Sequence, residues 1–402
     1  MTVRRFQQVA GTAVGVAALG LGVTPPAHAV GVRVVLPGES IQRAVDAAAP
    51  GDTVLVLPGT YRESVRITVP GLTLRGTGAL TVITPATPPP AATTPTTTPP
   101  TSTAPDTTTS ATTTSATTTP AADTPTTAPT AAATPTDAAS DACALAGNGI
   151  CVTGTPGHRL TGVTVESLTV TGFAKYGVSG TETDGLTVRD VRADANGLYG
   201  IGAEKSVRTG FTGNRADRNG EAGIFLANTT EGEAGAIDTE GALISHNAVS
   251  GNQIGVVVRR ARNLTVADNT MSGNCGGLFL VGDENVPRAG AMTVSGNTVT
   301  GNNAYCAATS RLPYVQGSGI VLTGVEDTVV TGNTVTDNVG ASPLSGGVVF
   351  FPSFVGSPSS GNSVENNTVL RNGPADLADH DTGSGNTFTG NDCAVSLPAG
   401  RC

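Results

Sequence analysis

The sequence predicts an all-β solenoid, a right-handed parallel β-helix of about nine or ten coils with a short N-terminal capping helix. Three observations carry that prediction. Gly supplies 53 of 402 residues, aromatic residues 3 % and charged residues 13 %, with no Trp. This balance suits many short strands broken by tight turns, and it lacks the Leu, Glu and Lys of a helical domain. From residue 160 onward the chain repeats with a basic period of 22 to 23 residues. Such a repeat holds three short strands and three turns, and it buries its apolar face only by stacking on its neighbours.

The elements follow in order. Residues 1–29 read as an export signal: Arg4 and Arg5 form the charged region, Val9 to Val23 the apolar region, and Ala27-His28-Ala29 the small-residue cleavage site. The apolar run is too short to span a membrane, and no other segment offers a span. The expected location is therefore secreted. Residues 30–83 form the first coil and its cap. Ser40 to Ala49 reads as a short amphipathic helix, with Ile41, Ala44, Val45 and Ala48 on one face and Ser40 as N-cap. Residues 84–140 are almost wholly Thr, Pro, Ala and Ser, so they build no core and read as a disordered insertion, either a glycan-bearing spacer or a tolerated surface loop.

Residues 141–402 carry the solenoid. One turn position is occupied in succession by Leu168, Val191, Asn214, Asn247, Asn269, Asn297, Asn333, Asn367 and Asn386. Longer intervals place loops near 228–238, 282–290, 304–317 and 340–361. Three residues before that turn lies an apolar column that includes Val165, Val188, Phe211 and Ile244. Two residues after it lies another, from Val170 to Val369 and Phe388. Five residues after it comes a second Asn column, from Asn196 through Asn372 to Asn391. A lone buried Asn is costly, but stacked Asn side chains satisfy one another and the turn backbone, so both columns are structural.

Six Cys remain after cleavage, an even number in an oxidising compartment. Fifteen pairings are possible; loop length and register favour Cys143–Cys151, Cys275–Cys306 and Cys393–Cys402. A net charge of −9 argues against a nucleic-acid partner. Only four His exist, and they are scattered, so no metal or other cofactor is implied.

The segment Pro37-Gly38-Glu39-Ser40-Ile41-Gln42-Arg43-Ala44-Val45, followed by Gly51-Asp52-Thr53-Val54-Leu55-Val56 and Leu57-Pro58-Gly59-Thr60-Tyr61-Arg62-Glu63, resembles the opening of pectin-lyase-like β-helix proteins. Later repeats such as Ser295-Gly296-Asn297-Thr298-Val299-Thr300-Gly301-Asn302 resemble the generic repeat of NosD-like members. The resemblance implies the superfamily and, through its pectate lyases, methylesterases and mannuronan epimerases, a carbohydrate partner. Specific activities are poorly supported. Gly59-x-Tyr61-x-Glu63 matches a short methylesterase motif that non-esterase relatives also carry, and the other methylesterase and polygalacturonase signatures are missing. Asp379-His380-Asp381 is similar in part to the Asp-Pro-His-Asp of mannuronan epimerases but lacks the Pro.

The repeat itself supplies one chemical constellation. The column of exposed bends just before the first Asn column contains Asp190, His246 and Asp268, with Arg189, Arg192 and Arg215 beside it. His or Asp there could abstract a proton α to a carboxylate, and Arg could pair with the carboxylates of an acidic polysaccharide. The bland alternative is that Asp and Gly favour bends and that His246–Asp268 is a surface ion pair. Two functions compete: a lyase- or epimerase-like enzyme on acidic glycan, and a non-catalytic monomeric scaffold that binds glycan or cell wall. A NosD-like accessory role is disfavoured by the lack of metal ligands.

Overall fold

The computed structural model describes residues 30–86, 142–229, 233–310 and 312–402. The segment 1–29, read as an export signal, and residues 87–141, which hold most of the expected insertion, lie outside the described residues; Thr84, at the start of the expected insertion, ends the strand Thr81–Thr84. Three parallel sheets of twelve, eleven and eleven strands wrap one continuous core, with almost no helix. Each coil contributes one strand to each sheet in turn, as in Gly210–Thr212, Arg215–Asp217 and Ala222–Ala227. The strand counts exceed nine or ten coils. The columns were counted from residue 160, whereas Val32–Val35, Thr53–Val56 and Thr73–Arg75 already pair in the first sheet without any Asn at their turns.

The strands form because short Val- and Thr-rich segments alternate inward and outward. Inward residues stack in register: Val188 on Phe211 in the first sheet, Ala216 on Val249 in the second, and Ile224 on Val256 in the third. All of these are buried and belong to one apolar cluster that runs the length of the solenoid. Eight of the eleven third-sheet strands also bring a Gly to the crowded inner corner: Gly149, Gly177, Gly200, Gly223, Gly255, Gly277, Gly319 and Gly347. A Cβ on Gly149 would meet Val170 Cγ1 at 2.5 Å, and one on Gly223 would overlap Val249 Cγ1. Only glycine lets the third sheet approach the second this closely.

Asn side chains close the two turns on either side of the second sheet. Asn219 Nδ2 donates to Asn252 Oδ1 at 3.0 Å and to the Ala193 carbonyl at 3.2 Å, while its own Oδ1 accepts from Asn196 N and Nδ2. The same pattern repeats through Asn274, Asn302, Asn338 and Asn372. Asn372 then donates to Asp376, a buried carboxylate that also accepts from the Ala394 and Val395 amides.

The last coil departs from the expected register. Asn367 donates to Asn391, so Asn391 and not Asn386 continues the first Asn column. Asn386 instead accepts from Asn362 in a separate column at another corner. Phe388 accordingly stacks on Val364 in the first sheet, and Cys393 takes the place two residues after the turn by pairing with Val369. The cause is local mimicry: Asn386 and Asn391 are five apart, like the Asn297–Asn302 pair of an ordinary coil, so the two corners look alike in sequence.

At the N-terminus a helix spans Ile41–Asp46, with Ser40 accepting from Arg43 N at 3.2 Å. It stops short of Ala49, whose amide is taken by Asp52 Oδ2 at 2.9 Å ahead of Pro50. Ile41 and Val45 join the core cluster, and the helix lies against Val32–Val35, Thr53–Val56 and Val65–Ile67. The structure contains the disulfides Cys143–Cys151, Cys275–Cys306 and Cys393–Cys402. Among the described residues no helix is long and apolar enough to cross a membrane.

Candidate functional site

The bend column lies on the ridge between the first and second sheets. Ser167, Asp190, His246, Asp268 and Asn366 share φ between 53° and 58°, and Gly213, Gly296 and Gly332 occupy the same left-handed position in other coils. The site is a backbone requirement of the turn, met by Gly or by short polar residues. His246 Nε2 stands 3.9 Å from Asp268 Oδ2, with 70 % and 56 % of the two side chains exposed. Asp190 is exposed and leans over Gly213.

The arginines divide. Arg192 and Arg215 are register partners on the second sheet and, with Asp190, line a shallow hollow beside Gly78 and Ala79. Arg189 sits on the first sheet, on the other side of the turn. Each has a carboxylate already: Arg189 pairs with Glu166, Arg192 with Asp194 at 3.6 Å, and Arg215 with Asp217. The hollow around Asp190 takes in neither His246 nor Asp268.

Two sequence motifs have structural employment. Tyr61 donates its hydroxyl to the Leu57 carbonyl at 2.9 Å, and Glu63 accepts from Ile41 N, Gln42 N and Ser40 Oγ, which holds the start of the helix. Asp379 pairs with Arg401 at 2.7 Å, and Asp381 accepts the Ser359 amide at 2.7 Å.

A larger concavity lies elsewhere, on the outer face of the third sheet. Its volume is 510 Å³. The floor comes from outward residues that pair in register: Phe225 with Val257, Val257 with Phe279, and Phe279 with Val321. Tyr199 extends the floor, stacked on Phe225 at 4.4 Å, and Tyr176 packs on Tyr199 at 4.8 Å. Tyr176 donates to Glu204 at 2.9 Å; burial first, and then the Glu204 charge, push its phenol up from the ordinary value. One wall is the segment between the second and third sheets, contributing Thr309 and Leu312 and tied to the sheet by Cys275–Cys306. The other wall brings Phe351, Phe354, Val355, Asp283 and Glu284.

Ion pairs fix that second wall. Arg260, only 7 % exposed, is held by Asp283 and by Glu233 at 3.0 Å, and Asn285 donates to Glu233 at 2.8 Å. Ser357 donates to the Asp283 carbonyl at 3.0 Å, which joins the two loops of this wall. The cleft crosses five consecutive third-sheet strands, from Tyr199–Glu204 to Ser318–Thr323, a run of about 19 Å at the ordinary strand spacing, and reaches Leu344 and Phe351 on either side of the next strand. Sequence reading missed this site, although a signal was present. Gly-Ile-Phe-Leu at 223–226, Gly-Leu-Phe-Leu at 277–280 and Gly-Ile-Val-Leu at 319–322 are apolar on both faces, unlike Gly-Ile-Gly-Ala at 200–203.

Comparison with known proteins agrees with this architecture. A family model described as "Right handed beta helix region" matches residues 140–287 and 237–400. The A-module of Azotobacter vinelandii mannuronan C-5 epimerase AlgE4 superposes with a TM-score of 0.52 at 17 % identity, covering 89 % of this chain and 91 % of that one. The A-module of AlgE6 from the same organism gives 0.51 at 18 % identity, with 87 % and 88 % covered. The Dettilon tailspike protein gp208 gives 0.51 at 14 % identity, with 90 % and 68 % covered. At these identities the likeness is one of fold. No curated protein sequence matches the chain.

Proposed function

The chain belongs to the right-handed β-helix family, and from that premise we propose that it is an extracytoplasmic protein that binds a polysaccharide along the third-sheet cleft. The observation that carries this reading is the shape of the cleft. An aromatic and aliphatic floor with a polar rim is the usual make-up of a small-molecule site. Here it is drawn out along the solenoid across five strands, which suits a polymer better than a compact ligand. Phe225 and Phe279 are themselves buried and support the floor from beneath. The apolar surface open to the ring faces of sugars comes from half-buried Val257, Val281 and Phe351 and from exposed Phe354 and Val355, and the rim groups can bond hydroxyls. Neighbours of the same fold include mannuronan epimerases and a phage tailspike, which makes a glycan ligand a natural expectation. Three disulfides and the export-like N-terminus support a location outside the cytoplasm.

The test is affinity electrophoresis of the mature protein through gels that contain a panel of polysaccharides. At least one polymer should retard the protein, and Phe351→Ala and Phe354→Ala, which remove accessible apolar surface from the cleft, should each weaken that retardation several-fold. Free migration through every gel, or retardation indifferent to both substitutions, would overturn the reading.

A second reading places a lyase- or epimerase-like reaction on the bend column, with Asp190, His246 and Asp268 as proton-transfer groups and Arg189, Arg192 and Arg215 as partners of substrate carboxylates. The proximity of His246 to Asp268 favours it. The ion pairs that already occupy all three arginines weigh against it. Absorbance in the unsaturated-uronate band during incubation with polyuronates separates a lyase from a binder.

A further inference from the structure

The charges around the cleft are unevenly matched. Among the described residues Glu221, Glu233, Asp283 and Glu284 line it, against Arg259 and Arg260. Arg260 is buried between Asp283 and Glu233 and has little left to offer a ligand. Glu221 and Glu284 are exposed at the rim, and neither carboxylate has a hydrogen bond or ion pair within the described residues. The floor between them is apolar. An anionic polymer lying here would bring carboxylates against Glu221 and Glu284, beside low-dielectric walls that strengthen the repulsion.

We infer that the cleft takes an uncharged glycan and excludes polyuronates, an inference that rests on the cleft being the polysaccharide site. The floor rewards the apolar faces of sugar rings, and the rim penalises negative charge. The discrimination is thus built from an attractive element and a repulsive one. It reverses the expectation of an acidic substrate drawn from the arginines of the bend column, because those arginines are internally neutralised and lie on a different face.

The experiment is affinity electrophoresis at low salt, where surface charge acts most strongly. Neutral polymers (a galactomannan and a mixed-linkage β-glucan among them) are compared with polymannuronate and polygalacturonate. The wild-type protein should be retarded at least tenfold more by one neutral polymer than by either polyuronate, and Phe354→Ala should sharply reduce that preference. In the double variant Glu221→Gln, Glu284→Gln, retardation by polyuronates should rise several-fold and fade again on adding salt. If a polyuronate retards the wild-type protein as strongly as any neutral polymer, and Phe354→Ala weakens that retardation, the inference is overturned while the cleft stands as the binding site. If retardation by either class ignores both Phe351→Ala and Phe354→Ala, the cleft reading itself fails.

Discussion

Asn269 lies between two copies of itself: its Nδ2 donates to Asn297 Oδ1 at 2.9 Å, and its Oδ1 accepts from Asn247 Nδ2 at 2.8 Å. Its Nδ2 also reaches the Ile244 carbonyl at 2.9 Å, and its Oδ1 also takes the Asn247 amide at 3.0 Å. Removing the side chain leaves buried donors and acceptors on two coils unpaired. Asn269→Ala should cost about 1–3 kcal/mol in chemical denaturation. Glycan retardation should persist, because the column is remote from the third-sheet cleft. A loss below about 0.3 kcal/mol would mean that water replaces the rung without penalty.

Gly223 tests the inner corner. A methyl group there overlaps Val249 Cγ1 and lies close to the Gly255 carbonyl. Gly223→Ala should destabilise by about 1–3 kcal/mol through overpacking. Shortening Val249 to Ala in the same chain should return part of that loss, measured as a coupling energy in a double-mutant cycle. Additive losses would show that the clash is relieved by backbone movement and not by the valine.

His246 separates turn geometry from chemistry. Its φ of 58° is a position that Gly fills in other coils, and its ion pair with Asp268 is open to solvent. His246→Gly should leave stability within about 1 kcal/mol of the parent, in either direction, since relief of the left-handed strain offsets the added freedom of the unfolded chain. Glycan retardation should be unchanged. Loss of retardation in a stably folded His246→Gly protein would move the functional site to the bend column.

Asp52 sets a pH dependence at the N-terminal end. Amide donation from Ala49 and then Gly31, with Arg33 nearby, holds its carboxyl below the ordinary value of 3.8. A carboxyl whose folded pKa is depressed stabilises the fold above its unfolded pKa, and that contribution is lost as pH falls through the folded value. Asp52→Asn should therefore unfold more readily than the parent at pH 7, and the gap should narrow below pH 3.8. Hydrogen exchange of the Gly31 and Ala49 amides against pH reads this locally. A gap independent of pH would assign the effect to lost geometry and not to charge.

The Cys275–Cys306 disulfide governs one wall of the cleft. It closes 31 residues, so its removal should cost at most roughly 3–4 kcal/mol in the chain-entropy view. In Cys275→Ser, Cys306→Ser the β-rich circular dichroism should persist, while the segment around Leu312 becomes the first site of proteolysis and glycan retardation weakens. Unchanged proteolysis would show that the antiparallel bridge of Cys306 with Val315 holds the wall unaided.

The fold could be read from sequence because its core repeats at a fixed interval. Val188, Phe211 and Ile244 stack as their spacing requires. The Asn columns followed from the cost of burying an amide alone. Reading failed where unlike corners share one signature, as with Asn386 and Asn391 in the last coil. It also failed at the cleft, whose floor residues Phe225, Val257, Phe279 and Val321 are separated by 32, 22 and 42 positions because loops of unequal length intervene. A column that skips so irregularly is apparent only once the strands are paired. The bend column, by contrast, was conspicuous because its polar residues satisfy a backbone angle.

The Asn ladders all run one way. Every Nδ2 in the column from Asn196 to Asn372 donates to the following coil, and the final donor meets the charged carboxylate of Asp376. A stack of aligned amides carries a dipole whose donor end faces the C-terminus, and a fixed anion there balances it as acidic residues balance the start of a helix. The solenoid is thus directional, and this one ladder has a terminator. Whole coils of 22 residues, such as the one from Asn247 to Asn269, form a unit that evolution or design can duplicate or delete inside the stack. The coil after Asp376 still stacks on all three sheets, but it meets the carboxylate with the Ala394 and Val395 amides where earlier coils present an Asn.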